Sequence, residues 1–312
     1  MDKTNLKAMV NGAYDLQKLR MQAGNRVVAN WKIQMGFKTS VKEKENEEKE
    51  AQNLLAKIRG SYKRLTDGIT DINDRNFKGD KIISDFAIFI LVKNYEEVLK
   101  CEEEQMQRFK SELKKFPIYT EFLDPIVKGV GVTLAGVLIS CIDIEKAKYA
   151  SSIWKYAGLD VADDGRGRSR RKEHLVKVEY KDSDGEMQTK DGITFNPFLK
   201  SKLMGVLAGS FLKQRKHGSK YAEIYYNYKN RYQNRPDLVD EKRTEKDKKG
   251  ETKITHWKDG KKKDLHIHNM AMRPAVKTFL ADLYEVWRGL EGLEVHKPYA
   301  EAKLGIVHTK VA

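Results

Sequence analysis

The stretch IVKGVGVTLAGVLIS (Ile126–Ser140) places two glycines, one valine apart, between apolar runs. Glycine weakens a helix interior, so Gly129-Val130-Gly131 reads as a turn that needs a positive φ or a close backbone approach. Leu123, Ile126, Val130, Ala135 and Leu138 then recur at helical spacing on either side. The expectation is two short helices that pack through Ile126, Val130, Ala135 and Leu138. Such a turn leaves the amides of residues 130–133 uncovered at the positive end of the second helix, where a phosphate oxygen is stabilised. Lys128 adds charge. A grip of this kind by Lys128, Gly129, Val130, Gly131 and Thr133 holds a backbone and reads no base. The same pattern also serves an αα-hairpin used only for packing.

Upstream, Val92, Leu99, Met106 and Leu113 recur every seven residues, with Tyr95, Glu102, Phe109 and Phe116 offset by three. That is an a/d seam interrupted only by Glu102, and it suits an intramolecular bundle or a homodimer through residues 88–116. Further upstream, Leu16, Leu19, Met21, Val27, Val28, Trp31 and Ile33 suggest one helix face. KEKENEEKE (Lys42–Glu50) leads into a second, carrying Leu54, Leu55, Ile58 and Leu65. Downstream, DIEKAKYASSIWKYAG (Asp143–Gly158) reads as a helix with Tyr149, Ile153, Trp154 and Ala157 inward. Residues 163–171, DDGRGRSRR, form a basic loop. HLVKVEYKDSDGEMQTKDGITF (His174–Phe195) alternates with period two about Asp-Gly signals, as a β-hairpin does. Helices resume at Pro197 and over Tyr221–Arg235. Residues 237–263 are charged, poorly periodic and expected to be a mobile insertion. A last helix is expected from about Asn269 to Leu290.

The fold class is therefore mainly α: a helical bundle or coiled coil, then a helical-hairpin domain with a small β-hairpin insertion. The expected boundaries are an amino-terminal helical region 1–84, a long coiled-coil-like helix 85–117, a hairpin and basic-loop domain 118–236, the charged insertion 237–263 and a carboxyl-terminal helix and tail 264–312.

The formal net charge is +15, and residues 165–235 hold 17 Lys and Arg against 7 Asp and Glu, a net +10. That field favours a polyanion: nucleic acid first, an anionic membrane face second, with a merely solvated basic surface as the alternative. Cys101 and Cys141 suggest neither a disulfide framework nor a zinc site. MDKTNLKAMVNGAYDLQKL has no apolar core, so no signal peptide is expected, and a reducing cytoplasm is the expected location. The apolar runs at 86–92 and 130–142 are too short to span a bilayer.

The Gly-Val-Gly turn with its apolar positions resembles the helix-hairpin-helix DNA-binding motif. Followed by YAGLDV (Tyr156–Val161), the basic loop, a small-residue helix, YAEIYY (Tyr221–Tyr226) and NMAMRPAVKTFLADLYEVW (Asn269–Trp287), it resembles a larger arrangement. This is the carboxyl-terminal domain of the DEDD (Piv/MooV-like) insertion-sequence transposases, which use a bridge RNA. The resemblance covers roughly residues 85–292 and implies a DNA partner. Two departures stand out. The family's amino-terminal RuvC-like domain, whose four acidic residues bind metal ions, has no counterpart in the helical, charged residues 1–85. The family's nucleophilic serine lies in a small-residue loop after its YAGL-like motif, whereas the loop here reads VADDGRGRSRRKEH (Val161–His174). Ser169 is its only serine and lacks a Ser-Gly context, although the flanking arginines suit a phosphodiester.

Three functions follow as expectations. The first is a DNA-binding protein of mobile-element or phage type, with Arg166, Arg168, Arg170, Arg171 and Lys172 tracking a strand; RNA is an alternative partner. The second is a strand-transfer or nicking enzyme using Ser169. The third is a non-catalytic partner-binding factor. No cofactor is expected, with a divalent metal entering only for an enzyme. Asp160, Asp163 and Asp164 read as loop or cap residues before metal ligands. His266 and His268, with His256 upstream, would make a metal half-site only on a strand. Ser210 reads as a small packing residue. Tyr221, Tyr225, Tyr228 and Tyr232 share a helix face and read as core, with Tyr226 exposed beside Lys229, Arg231 and Arg235.

Overall fold

The computed structural model describes residues 3–36, 44–69, 72–235, 242–246, 252–256 and 261–297. They are mainly helical, with two small antiparallel hairpins, and the chain divides into compact units at residues 1–112 and 113–312.

The first unit contains α1 (Lys3–Gln34), α2 (Lys44–Thr66) and most of α3 (Phe86–Leu113). Val27, Ile58, Ile83, Ile88, Phe89, Val92 and Tyr95 form its core. A Cβ on Gly24 would lie 3.1 Å from both Leu55 and Tyr95, so a small residue lets the helices approach. Val92 and Tyr95, two positions of the a/d seam, thus pack against this unit's own helices. Glu102, the charge that interrupts the seam, pairs with Arg20 on α1. The seam therefore serves the intramolecular bundle, and nothing in it points to a dimer. On α1 the inward residues are Leu6, Val10, Ala13, Val27 and Val28, while Leu19, Met21 and Ile33 are exposed, a correction to the expected face. The segment before α3 is organised by Asp80. Its carboxylate accepts the Ile82 and Ile83 amides at 2.8 and 2.7 Å and the Ser61 hydroxyl at 2.6 Å. Burial alone would raise this carboxyl, but those donors outweigh it and hold it below the usual range.

The second unit opens with a π-helical turn at Tyr119–Leu123. Here the sequence reading needs correction: Ile126 is 63% exposed, and Val127 is buried in its place. The Asp124 and Val127 amides reach back five residues, to Tyr119 and Phe122. That wider turn carries one extra residue and advances the inward position by one. Then α4 (Val132–Cys141) buries Leu134 through Ile139. The expected helix over 143–158 is only α5 (Ala150–Tyr156), and Tyr149 is exposed. Residues 144–148 stay irregular because their carbonyls are taken from afar. Buried Arg288 donates to Ile144 and Ala147, and the Tyr284 hydroxyl donates to Lys148.

Strands β1 (Val176–Lys181) and β2 (Met187–Gly192) pair from Val176↔Gly192 to Lys181↔Met187, as the alternation predicts. Next come α6 (Pro197–Lys202), capped by the Asn196 side chain, a π-helical turn at Leu203–Leu207, and α7 (Ala208–Lys213). Helix α8 (Lys220–Gln233) lies along α9 (Lys261–Leu290), with the rings of Phe211, Tyr221 and Phe279 clustered at centroid separations of 4.6–5.5 Å. The tract 237–263 also departs from expectation. Within it, β3 (Lys242–Lys246) and β4 (Thr252–His256) form a second hairpin, and α9 begins at Lys261; the rest of the tract lies outside the described residues. No described helix is long and apolar enough to cross a membrane.

Candidate nucleic-acid interface

The glycine turn is built as much for packing as for binding. Gly129 has φ +100°, which disfavours any side chain, and a Cβ there would lie 3.1 Å from Ser210 Oγ and 3.3 Å from Gln214. The Ser210 hydroxyl donates to the Gly129 carbonyl at 2.6 Å, so Ser210 is a packing residue that also fastens the turn to α7. Lys128 Nζ donates to the His217 carbonyl at 2.6 Å, which spends part of its hydrogen-bonding capacity on the protein itself. Val130 and Thr133 are half-buried, and Gly131 is extended and exposed. No side chain caps the start of α4.

The loop between α5 and β1 is held by its own bonds rather than by regular structure. Val161 bridges Gly167, the Ala162 amide donates to the Arg166 carbonyl at 2.7 Å, and the Arg166 amide donates to Asp164 Oδ1 at 2.9 Å. These bonds send the expected cations in two directions. Arg166, Arg170, Arg171 and Lys172 are exposed, and Asp164, Arg166, Arg171, Lys172 and Glu173 line a shallow cleft of about 660 Å³. Arg168 instead turns inward and pairs with Asp160 at 2.7 Å, so it is a strut of the loop rather than part of its outer face. Asp163 is exposed and Asp160 and Asp164 have separate partners, so these three carboxylates do not converge.

Ser169 meets a residue that the sequence reading did not single out. Its hydroxyl and its amide both lie 3.0 Å from Nδ1 of buried His174. The amide can only donate, so Nδ1 is the acceptor and the proton sits on Nε2. Nε2 is 3.2 Å from Asp164 Oδ2, a charge contact off the angle of a hydrogen bond. Asp164 is held below the usual carboxylate range, first by the Arg166 amide and then by His174. Serine, an accepting imidazole and a carboxylate thus stand in line. The Arg171 amide also donates to Ser169 Oγ at 3.3 Å, as in an ordinary loop turn.

The remaining candidates resolve into structure. His266 and His268 lie on α9 rather than on a strand, and His268 Nδ1 contacts the Tyr225 hydroxyl at 2.6 Å. Tyr221 and Tyr225 are buried, as expected of core. Tyr228 and Tyr232 are half-buried against each other. Tyr226 is not freely exposed, because the Arg215 guanidinium covers its ring at 3.9 Å. Against models of known protein families, curated proteins and solved structures, the chain matches none.

Proposed function

We propose that this protein binds the sugar–phosphate backbone of nucleic acid, DNA in the first instance. The observation that carries this reading is the outer face of the 160–174 loop. Four exposed cations (Arg166, Arg170, Arg171 and Lys172) stand on a backbone fixed by internal hydrogen bonds, with a shallow cleft between them. A rigid array of cations is pre-organised for a regularly charged polymer and has no obvious structural use. The start of α4 and Lys128 supplement this face. Contacts of this kind position a backbone without reading bases. Binding should therefore depend steeply on salt, each neutralised phosphate contributing about −0.9 to the log–log slope. The test is fluorescence anisotropy with a labelled duplex across a salt series. Replacing all four loop cations by Gln should flatten the slope by about 3. An unchanged slope would remove the loop from the interface. The resemblance to the transposase domain is consistent with this reading, which rests on the chain's own residues.

The contact between Ser169 and His174 favours a second reading, serine-dependent phosphodiester cleavage. Oγ would attack phosphorus while Nδ1 takes its proton, with Arg171 and Lys172 beside the developing charge. Plasmid nicking that disappears in Ser169→Ala would support it. Nicking retained in that variant would dispose of it.

A further inference from the structure

A second group of cations lies behind the exposed loop. Arg168 from the loop, Lys200 from α6, and Arg273 and Lys277 from α9 gather about one carboxylate, Asp160. Arg168 Nε takes Asp160 Oδ2 at 2.7 Å, and the other oxygen, Oδ1, is buried without a hydrogen-bond partner. The Arg273 guanidinium lies directly against the loop backbone, since a Cβ on Gly167 would fall 2.2 Å from its Nη1. Lys200 Nζ donates to the Arg168 carbonyl at 2.5 Å and sits 4.5 Å from the Phe195 ring centroid. Lys277 Nζ sits 4.6 Å from that of Trp154. Among the described residues, Asp160 is the only carboxylate whose charge bears on Lys200, Arg273 or Lys277, and it forms an ion pair with none of them. All four cations are half-buried, so packing against rings and backbone holds them together while their charges repel.

Such a group is costly without an anion. Burial first, then Arg273 and Arg168, push Lys200 down to about 8, and burial also lowers Arg273 and Lys277. Neutral side chains would fill the same space without that cost.

We infer that Lys200, Arg273 and Lys277 form a binding site for a single phosphate group of the nucleic acid, set behind the outer face of the loop. The inference rests on the proposed function and names three residues of the interface. Arg273 offers a planar fork for two phosphate oxygens, and the two lysines supply point charges for the others. Asp160 Oδ1 is placed to accept a hydrogen bond from a neighbouring hydroxyl of the ligand. The phosphate can be an internal diester or a terminal monoester, which share this chemistry.

The test uses the full chain, the Arg273→Gln/Lys277→Gln variant and two kinds of probe. In thermal melts at constant ionic strength, inorganic phosphate should raise the wild-type midpoint above that in chloride. The variant should melt no lower than wild type in chloride, because repelling charges are gone, and should not respond to phosphate. An equal response in both proteins, or a variant that melts lower, would overturn the site. In anisotropy titrations with oligonucleotides bearing or lacking a 5′-phosphate, an internal-diester site predicts about a tenfold loss of affinity on both. A terminal-phosphate site predicts the loss only on the phosphorylated one. Unchanged affinity for both would overturn the inference while leaving the loop reading intact. A phosphate response without binding of either oligonucleotide would keep the site and remove nucleic acid as its source.

Discussion

In the amino-terminal unit, Arg20 and Arg59 each face a carboxylate of their own, Glu102 and Glu96. In the carboxyl-terminal unit, Arg168, Lys200, Arg273 and Lys277 face Asp160 together. Both sets are half-buried, so the difference is not one of solvent access. A charge that braces helices is matched at the point where it is buried. A charge kept for a ligand stays unmatched until the ligand arrives, at a cost in stability borne by the free protein. Removing a cation should therefore weaken the first unit and relieve the second.

The largest departure from that rule should be Arg288. It belongs to the second unit, yet it is buried and donates to three carbonyls, those of Ile144, Ala147 and Glu294, at 2.6–3.1 Å. Its charge is thus fully used in holding irregular backbone against α9. Arg288→Ala should lower unfolding stability by about 3–4 kcal/mol in urea denaturation, leaving carbonyls buried and unpaired. Gly129→Ala should follow, at about 2 kcal/mol, because a left-handed φ and the contact with Ser210 coincide at one residue. Glu96→Gln should cost about 1–2 kcal/mol by breaking a two-point contact with Arg59. Arg273→Gln should cost nothing. A loss at Arg273 equal to that at Glu96 would erase the contrast between the units.

The pH dependence sharpens the same contrast. Lys200 is pushed from an ordinary 10.5 to about 8, by burial first and then by Arg273 and Arg168, with Asp160 partly offsetting them. Below about pH 8 it is protonated in both folded and unfolded chains, and the folded state carries the whole penalty. From about pH 8 to 10 the unfolded chain holds more protons than the folded one, so stability rises with pH. Lys202 and Lys277 are shifted in the same direction. Above about pH 10 the sign reverses. Burial raises Tyr119 to about 12 and raises Tyr221 as well, so tyrosines ionise first in the unfolded chain. Melting midpoints should therefore climb from about pH 8 to a maximum near 10 and then fall, and Lys200→Met should shrink the climb.

Features carried by local pattern were legible in the sequence. The β1–β2 hairpin follows from period-two alternation with Asp-Gly, and α6 starts where Asn196 and Pro197 announce it. The seam on α3 was legible, but whether it met its own chain depended on Arg20, 82 residues away from Glu102. The substitution of Val127 for Ile126 was not legible, because a π-helical turn adds one residue without leaving a period to count. The irregular stretch at 144–148 looked helical because its competing donors, Tyr284 and Arg288, lie on α9. The exposed cations of the loop could be found from the run RGRSRRK alone. The inner cluster could not, since it gathers single residues from a loop and two helices. Its one local sign is Gly167, where a side chain would collide with Arg273.

Ser169→Ala should produce the smallest effect on stability and, for that reason, a clean answer about chemistry. The hydroxyl accepts from the Arg171 amide at a long 3.3 Å and meets His174 Nδ1 at 3.0 Å. Nδ1 keeps the Ser169 amide as a donor when the hydroxyl is removed, so no buried acceptor is orphaned. The melting midpoint should move by no more than about 0.5 kcal/mol expresses. His174→Ala is the poorer probe, because it empties a buried ring position and confounds folding with function. A nicking activity that vanishes in a Ser169→Ala protein of unchanged stability would therefore identify the hydroxyl as the attacking group. An activity that survives would leave Ser169, like Arg168 beside it, a strut of the loop that presents the exposed cations.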